Sequence, residues 1–305
     1  MGSPSPLEGR SGPATVVLTD SGLGGLLICA GLESRLRHAE GDGRVRLVYV
    51  NAWPDAAHGY NDLPDLAARA AVFDRALAAM MSFRPGLILI ACNTLSVVYA
   101  ETAFSRAPAV PVKGILDEGA DLFYEALARE PARVLALFGT RTTIGSGEHA
   151  RRLRARGIAP GRIVAEPCHG LAAAIDKDPD SEAVPGLVEG CVLRAVPRLP
   201  TGAPVAAGLA CTHYGYAAAA FRASLVRHTG ADVEVLDPGE RLIDGLARGL
   251  RDRPPGAGER DVRVEVVSKI ELGELQRRAV ARRLEPVSAC TAEALVGYTH
   301  APDLF

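Results

Sequence analysis

Aromatic side chains are scarce: seven Phe, seven Tyr and one Trp make up 5% of 305 residues. A core must therefore be packed from Ala, Val and Leu, and a hydrophobic content of 48% is enough to build one. No run approaches the roughly 18 uninterrupted apolar residues of a membrane-spanning helix. The opening stretch MGSPSPLEGRSGPAT lacks the apolar segment of a signal peptide, and residues 1–13 read as a disordered leader. There is no basic excess either. Lys and Arg total 34 against 36 Asp and Glu, for a net charge of −2, so nothing marks a nucleic-acid surface. The local cluster ARRLRARGIAPGR (150–162) reads as a solvated helix face. Six cysteines are spread widely with no CxxC pair, which gives neither a disulfide framework nor a zinc-ligand cluster. Without a secretion signal, free thiols in a reducing cytoplasm are expected.

What the chain does contain is an alternation of short apolar runs and longer amphipathic stretches. ATVVLTD (14–20), VRLVYVN (45–51) and GLILIAC (86–92) read as strands, as do 110–115, 133–138, 161–165, 204–211, 232–236 and 262–267. Apolar residues at three- and four-residue spacing predict helices over 24–39, 63–83, 117–129, 143–156, 215–228, 239–251 and 271–283. Two more fill 170–196 with a break near 177–181, and a short one sits in the tail. GLILIAC has almost no polar residue, the pattern of a strand covered on both faces. This alternation predicts an α/β fold of parallel sheets flanked by helices. RDRPPGAGERD (251–261) reads as a surface loop.

In open parallel sheets, ligands bind beyond the carboxyl ends of the strands. Asp20, Cys92 and Cys211 each fall at such an end. By position alone the two thiols are either small buried filler or reactive groups, since free Cys is among the most buried residue types. TDSGLGGLL (19–27) supplies a G-x-G, but Leu27 spoils the dinucleotide fingerprint. It reads instead as a tight strand-to-helix turn. Gly22, Gly24 and Gly25 there permit unusual backbone angles and close approach of a ligand. The N–H groups at the helix start, with Ser21, suit a carboxylate.

Taken in order, DSGLGGL (20–26), ACNT (91–94), GILDEGA (114–120), GTRTTIGSGEH (139–149), CTHY (211–214) and DPGE (237–240) resemble glutamate racemase and the wider aspartate/glutamate racemase superfamily. The resemblance runs from about Val16 to Arg283. It implies two α/β domains related by a pseudo-twofold, with parallel central sheets flanked by helices and the active site in the interdomain cleft. Residues 1–113 with 225–305 would form one domain and 114–224 an inserted second. It implies no cofactor, neither pyridoxal phosphate nor metal. One cysteine would remove the α-proton from one face of an amino acid, and the other would return a proton to the opposite face. The implied partner is a small-molecule carboxylate substrate, not nucleic acid or membrane, and members often form homodimers.

Carried onto matching positions, the resemblance makes Cys92 and Cys211 the catalytic thiols. Asp20 is the acid beside the first, His213 the histidine beside the second, and Asp176 stands where the family has Glu. Ser21, Asn93, Thr94 and Thr212 match substrate-binding positions. The residues themselves leave plainer roles open: Asp20 as a helix cap, His213 as a core histidine, Asp176 as a surface acid, the hydroxyl residues and Asn93 as caps or turn formers. The family's pocket loop, roughly Y-V-G-D-T-A-x-x-P-Y-G, is YVNAWPDAAHG here (49–59). Ala52 replaces the acid, Trp53 the Thr and His58 the Tyr, while Gly59 is kept. His58 and Gly59 are the substrate contacts expected from this loop, and Trp53 either packs over the sheet edge or remakes the pocket. Three readings follow: a racemase of glutamate, aspartate or a related acid; an isomerase or racemase of another small carboxylate or cyclic substrate; or a catalytically silent binding protein. The presence of Cys92, Cys211, Asp20 and His213 speaks against the last.

Overall fold

The computed structural model describes residues 14–38, 44–251 and 261–305. The leader at 1–13 and the interior of the 251–261 loop lie outside the described residues. The strands are β1 (Ala14–Asp20), β2 (Arg44–Asn51), β3 (Leu87–Ile90), β4 (Val112–Gly114), β5 (Val134–Gly139), β6 (Ile163–Pro167), β7 (Val205–Ala210), β8 (Val233–Leu236), β9 (Asp261–Ser268) and β10 (Thr299–His300). They form a six-stranded sheet in the order β10-β9-β2-β1-β3-β4 and a four-stranded sheet in the order β6-β5-β7-β8. Every pairing among these strands is parallel. β1, β3, β5 and β7 are buried along their whole length, which is why β3, β5 and β7 read without a polar side chain. No described helix is long and apolar enough to cross a membrane.

The strand orders locate the site. From β1 the chain moves to β2 on one side, then returns to place β3 on the other. The second sheet repeats this: β6 lies on one side of β5 and β7 on the other. Each sheet therefore has a switch point, between β1 and β3 and between β5 and β7, where the chain diverges and leaves a crevice at the carboxyl ends. Asp20 ends β1, and Cys92 follows the end of β3. Thr140 follows β5, and Cys211 follows β7. The bonds Ala91 N–H to Thr19 O (2.9 Å) and Cys168 N–H to Gly139 O (2.8 Å) hold these ends in line.

One continuous core joins the two sheets, with Leu18, Leu26 and Tyr49 from one side and Phe138, Leu209 and Phe221 from the other. Three aromatics cluster there: Phe221 sits 4.7 Å from Phe138 and 5.6 Å from Tyr214, ring centre to ring centre.

The structure shifts several sequence expectations. β8 pairs with β7, so the second sheet runs to Leu236. The single helix over 143–156 becomes two, Arg141–Ser146 and Glu148–Ala155, because Gly147 adopts φ +66° between them. Helical periodicity continues across that glycine, but the left-handed backbone ends one helix and starts the next. Two short helices, Asn93–Tyr99 and Ala103–Arg106, fill a stretch with no assignment from periodicity. The helix expected from 215 begins at Ala218, after a 3-10 segment over Thr212–Ala217.

Candidate active site

The glycine turn after β1 meets the 3-10 segment after β7, and this contact builds the site. A Cβ added at Gly24 would stand 2.6 Å from both Thr212 Oγ1 and His213 Nδ1. One at Gly22 would stand 2.8 Å from Asp176 Oδ1. None of Gly22, Gly24 and Gly25 has a positive φ. At Gly22 and Gly24 the close approach is that of the other half of the protein, whereas Gly25 makes room for Asp20 and Ala91 of its own half. The carboxylate expected at the turn's N–H groups is also internal: Leu23 N–H donates to Asp176 Oδ1 at 2.7 Å. Tyr49 Oη fixes the turn by donating to Gly22 O at 2.6 Å.

Asp20 is fully buried. Its Oδ2 accepts from Thr212 Oγ1 at 2.7 Å, a bond between the two halves. Ser21 Oγ lies between this carboxylate and the first thiol, 3.5 Å from Asp20 Oδ1 and 3.2 Å from Cys92 Sγ. Burial drives the Cys92 thiol well above its ordinary range, and the Asp20 charge adds to this. Hydrogen bonds from the Ser21 hydroxyl and from the N–H groups of Leu95 and Ser21 pull the other way without prevailing. Cys92 is thus held as a protonated thiol.

On the opposite side, Cys211 Sγ lies 3.7 Å from His213 Nδ1, and His213 Nε2 lies 2.8 Å from Asp176 Oδ1. Burial alone would disfavour the imidazolium. The hydrogen bonds to Asp176 and Cys211, with their charges, more than reverse this and raise His213 well above its ordinary value. Asp176 Oδ2 accepts from Gln276 Nε2 at 2.7 Å.

Both thiols line one cavity of about 150 Å³, together with Ser21, Asn93, Thr94, Asp176, His213 and Gly59. Asn93 is 2% exposed, and neither polar atom of its side chain has a partner among the described residues. A buried amide in that state is an unfilled donor and acceptor set on the cavity wall. Thr94 Oγ1 is tied to Thr140 Oγ1 at 2.9 Å and Thr143 Oγ1 at 3.2 Å, joining the walls contributed by the two sheets.

Asp20 and Thr212 are not on the cavity surface but lie behind it, bonded to each other. The His58 side chain, expected as a substrate contact, is 58% exposed and does not line the cavity. Asp55 Oδ1 accepts from the N–H groups of Ala57 and His58 at 2.8 and 2.9 Å and lies 3.2 Å from His58 Nδ1, which holds the ring on the solvent side. Trp53 does line the cavity, packed against Gly59, where an added Cβ would be 3.0 Å from the indole.

Sequence reasoning missed Thr140, Asn61 and Gln276. Thr140 follows a strand end, so the rule that singled out the cysteines could have found it. Asn61 Oδ1 accepts from Thr142 Oγ1 at 2.8 Å, a contact with no local signal. Among the described residues, no group of three or more His, Cys, Asp or Glu is placed to hold a metal ion.

Comparison with known proteins agrees with this architecture. Residues 24–246 match the Asp/Glu/hydantoin racemase family. A glutamate racemase from Ruegeria sp. (strain TM1040) is 30% identical over 256 residues, covering 80% of this chain and 87% of the relative. Another from Syntrophus aciditrophicus is 28% identical over 232 residues, covering 76% and 78%. The crystal structure of glutamate racemase from Campylobacter jejuni superposes with a TM-score of 0.65 at 20% identity, covering 87% of this chain and 96% of that one, a likeness of fold alone. From the family match and the coverage of its relatives, the chain belongs to the Asp/Glu/hydantoin racemase family.

Proposed function

We propose that the protein is a cofactor-independent racemase that interconverts the enantiomers of glutamate or a closely related acidic amino acid, with Cys92 and Cys211 as its two bases. The observation that carries this reading is the pairing of switch points: each sheet delivers one thiol to the same cavity. A racemase that works without a carbanion-stabilising cofactor needs a base on one face of the α-carbon and an acid on the other. A cysteine can serve as either, giving a proton as the thiol and taking one as the thiolate.

In the resting arrangement Cys92 carries a proton and is the donor. Cys211, beside His213, is the acceptor of the α-proton. After transfer the roles are exchanged: Cys92 is the thiolate and Cys211 the thiol, the state that runs the opposite direction. Cys211 exchanges its proton with the His213–Asp176 pair, and the Ser21 hydroxyl links Cys92 to the Asp20 carboxylate. Asn93 and Thr94 offer polar groups to the substrate. N–H groups at the start of the segments after each cysteine stabilise charge that develops on the substrate carboxylate. In this reading the two sheets mark two domains, with the second extending to Leu236 rather than 224.

One observation favours a second reading. Trp53 stands in the wall where the resemblance places a Thr, so the pocket is remade, and a different small carboxylate or a planar cyclic acid is the alternative substrate. The test is incubation in deuterated water with L- and D-glutamate, L- and D-aspartate and a set of cyclic and unsaturated acids, with no cofactor added. Loss of optical rotation and deuterium entry at the α-carbon with an acidic amino acid supports the first reading. Turnover confined to the other acids supports the second, and a folded protein inert toward all of them refutes both.

A further inference from the structure

We propose that Gln276 is a positioning residue for proton transfer at Cys211, acting through Asp176 and His213. The inference rests on the reading of those two residues as the acid–base pair beside Cys211.

Asp176 is held by three donors from three separate elements. Leu23 N–H, from the glycine turn after β1, and His213 Nε2, from the segment after β7, both reach Oδ1, at 2.7 and 2.8 Å. Oδ2 receives Gln276 Nε2 at 2.7 Å, from the helix Glu274–Leu284 near the chain's end. The terminal torsion of an Asp side chain is soft, and bonds to one oxygen leave the carboxylate plane free to swing. A donor on the second oxygen fixes that plane, and with it the direction in which His213 Nε2 is held. His213 Nδ1, on the far side of the ring, then faces Cys211 Sγ.

The chemical type of residue 276 matters as much as its reach. Its helix also carries Arg277, Arg278 and Arg283, any of which would bind a carboxylate more strongly than an amide does. They are engaged elsewhere: Arg277 with Leu272 O, Arg278 with Glu274, and Arg283 with Asp180 and Tyr216 O. What the helix presents to Asp176 is an uncharged donor. An amide fixes the carboxylate without neutralising it, so the negative charge stays available to His213. Gln276 does not line the cavity and makes no contact that would require it to touch substrate.

The test compares Gln276→Leu, Gln276→Glu and Gln276→Asn with wild type, alongside Asp176→Asn and His213→Asn. The readouts are kcat and KM for glutamate racemisation and the ¹⁵N resonance of His213 Nε2. Gln276→Leu is expected to lower kcat roughly tenfold with KM changed less than twofold, in keeping with loss of one charge-assisted hydrogen bond. Gln276→Glu keeps the shape but turns a donor into a like charge, so it should fall further, and Gln276→Asn should fall least. The His213 signal should move in step with kcat. Retention of wild-type kcat by both the Leu and Glu variants, or a loss confined to KM, overturns the proposal. Impaired Asp176→Asn and His213→Asn with intact Gln276 variants would sink this inference alone. Full activity in Asp176→Asn and His213→Asn would sink the underlying reading as well. If the Leu variant fails to fold, the isosteric Glu variant decides.

Discussion

His213 Nε2 lies 2.8 Å from Asp176 Oδ1, and this contact joins a helix of the second half to the segment that carries the second thiol. Burial lowers the histidine and its two partners raise it, Asp176 first, with a net upward result. Asp176→Asn removes the larger of the opposing influences, so His213 should lose its proton at lower pH than in wild type. Racemisation should fall roughly 100-fold, the usual scale for disabling one acid–base group. Stability carries the same signature. A histidine raised above its unfolded pKa of about 6.5 contributes stability that is complete below that pH and is lost as pH rises through the folded value. The stability gap between wild type and Asp176→Asn should therefore be widest near pH 6 and narrow toward alkaline pH. Urea unfolding at a series of pH values measures it, and a gap that widens with pH would contradict the assignment.

The glycine turn makes a steric prediction. A methyl group at position 24 has no room against Thr212 and His213, where the nearest atoms would be 2.6 Å away. Gly24→Ala should lower stability by about 1–3 kcal/mol, the range for overpacking, and should depress activity through His213. Gly145→Ala is the control, because nothing lies within 4 Å of the place its methyl group would take. Thermal unfolding of the pair checks this, and equal melting temperatures would contradict the packing described.

His149 gives the acid limb of stability. It is 1% exposed, neither ring nitrogen has a partner among the described residues, and burial pushes its pKa down to about 4. Between about 6.5 and 4 the unfolded chain gains a proton that the folded one cannot accept. Stability is therefore lost as pH falls through that window, by about 3 kcal/mol in all. His149→Phe keeps the ring packing against Phe123, whose centre is 5.6 Å away, and removes the titration. The variant should be more stable at pH 7 by about 1 kcal/mol and less sensitive to acid down to pH 4. An unchanged acid slope would count against this account.

Much of this architecture can be read from local pattern. Apolar runs that end in Asp20, Cys92 and Cys211 mark buried parallel strands, and such strands aim their ends at a ligand. What could not be read depends on contacts between distant segments. Asn61 with Thr142, and Gln276 with Asp176, are set by how finished elements pack, and neither residue type nor spacing announces them. The glycine turn was legible as a place of close approach, but not as a joint between halves. His58 shows the reverse problem. The loop sequence points it at the pocket, but Asp55 organises a turn that holds the ring in solvent. β10 is two residues long, too short for any periodicity to register.

The central claim is that two thiols work on opposite faces of one carbon. The most direct measurement is α-deuterium incorporation into each pure enantiomer by Cys92→Ser and Cys211→Ser in deuterated water. Each variant should lose interconversion, and each should still exchange one enantiomer, with the two variants exchanging opposite ones. Wild-type interconversion in either variant, or exchange of the same enantiomer by both, would contradict the account.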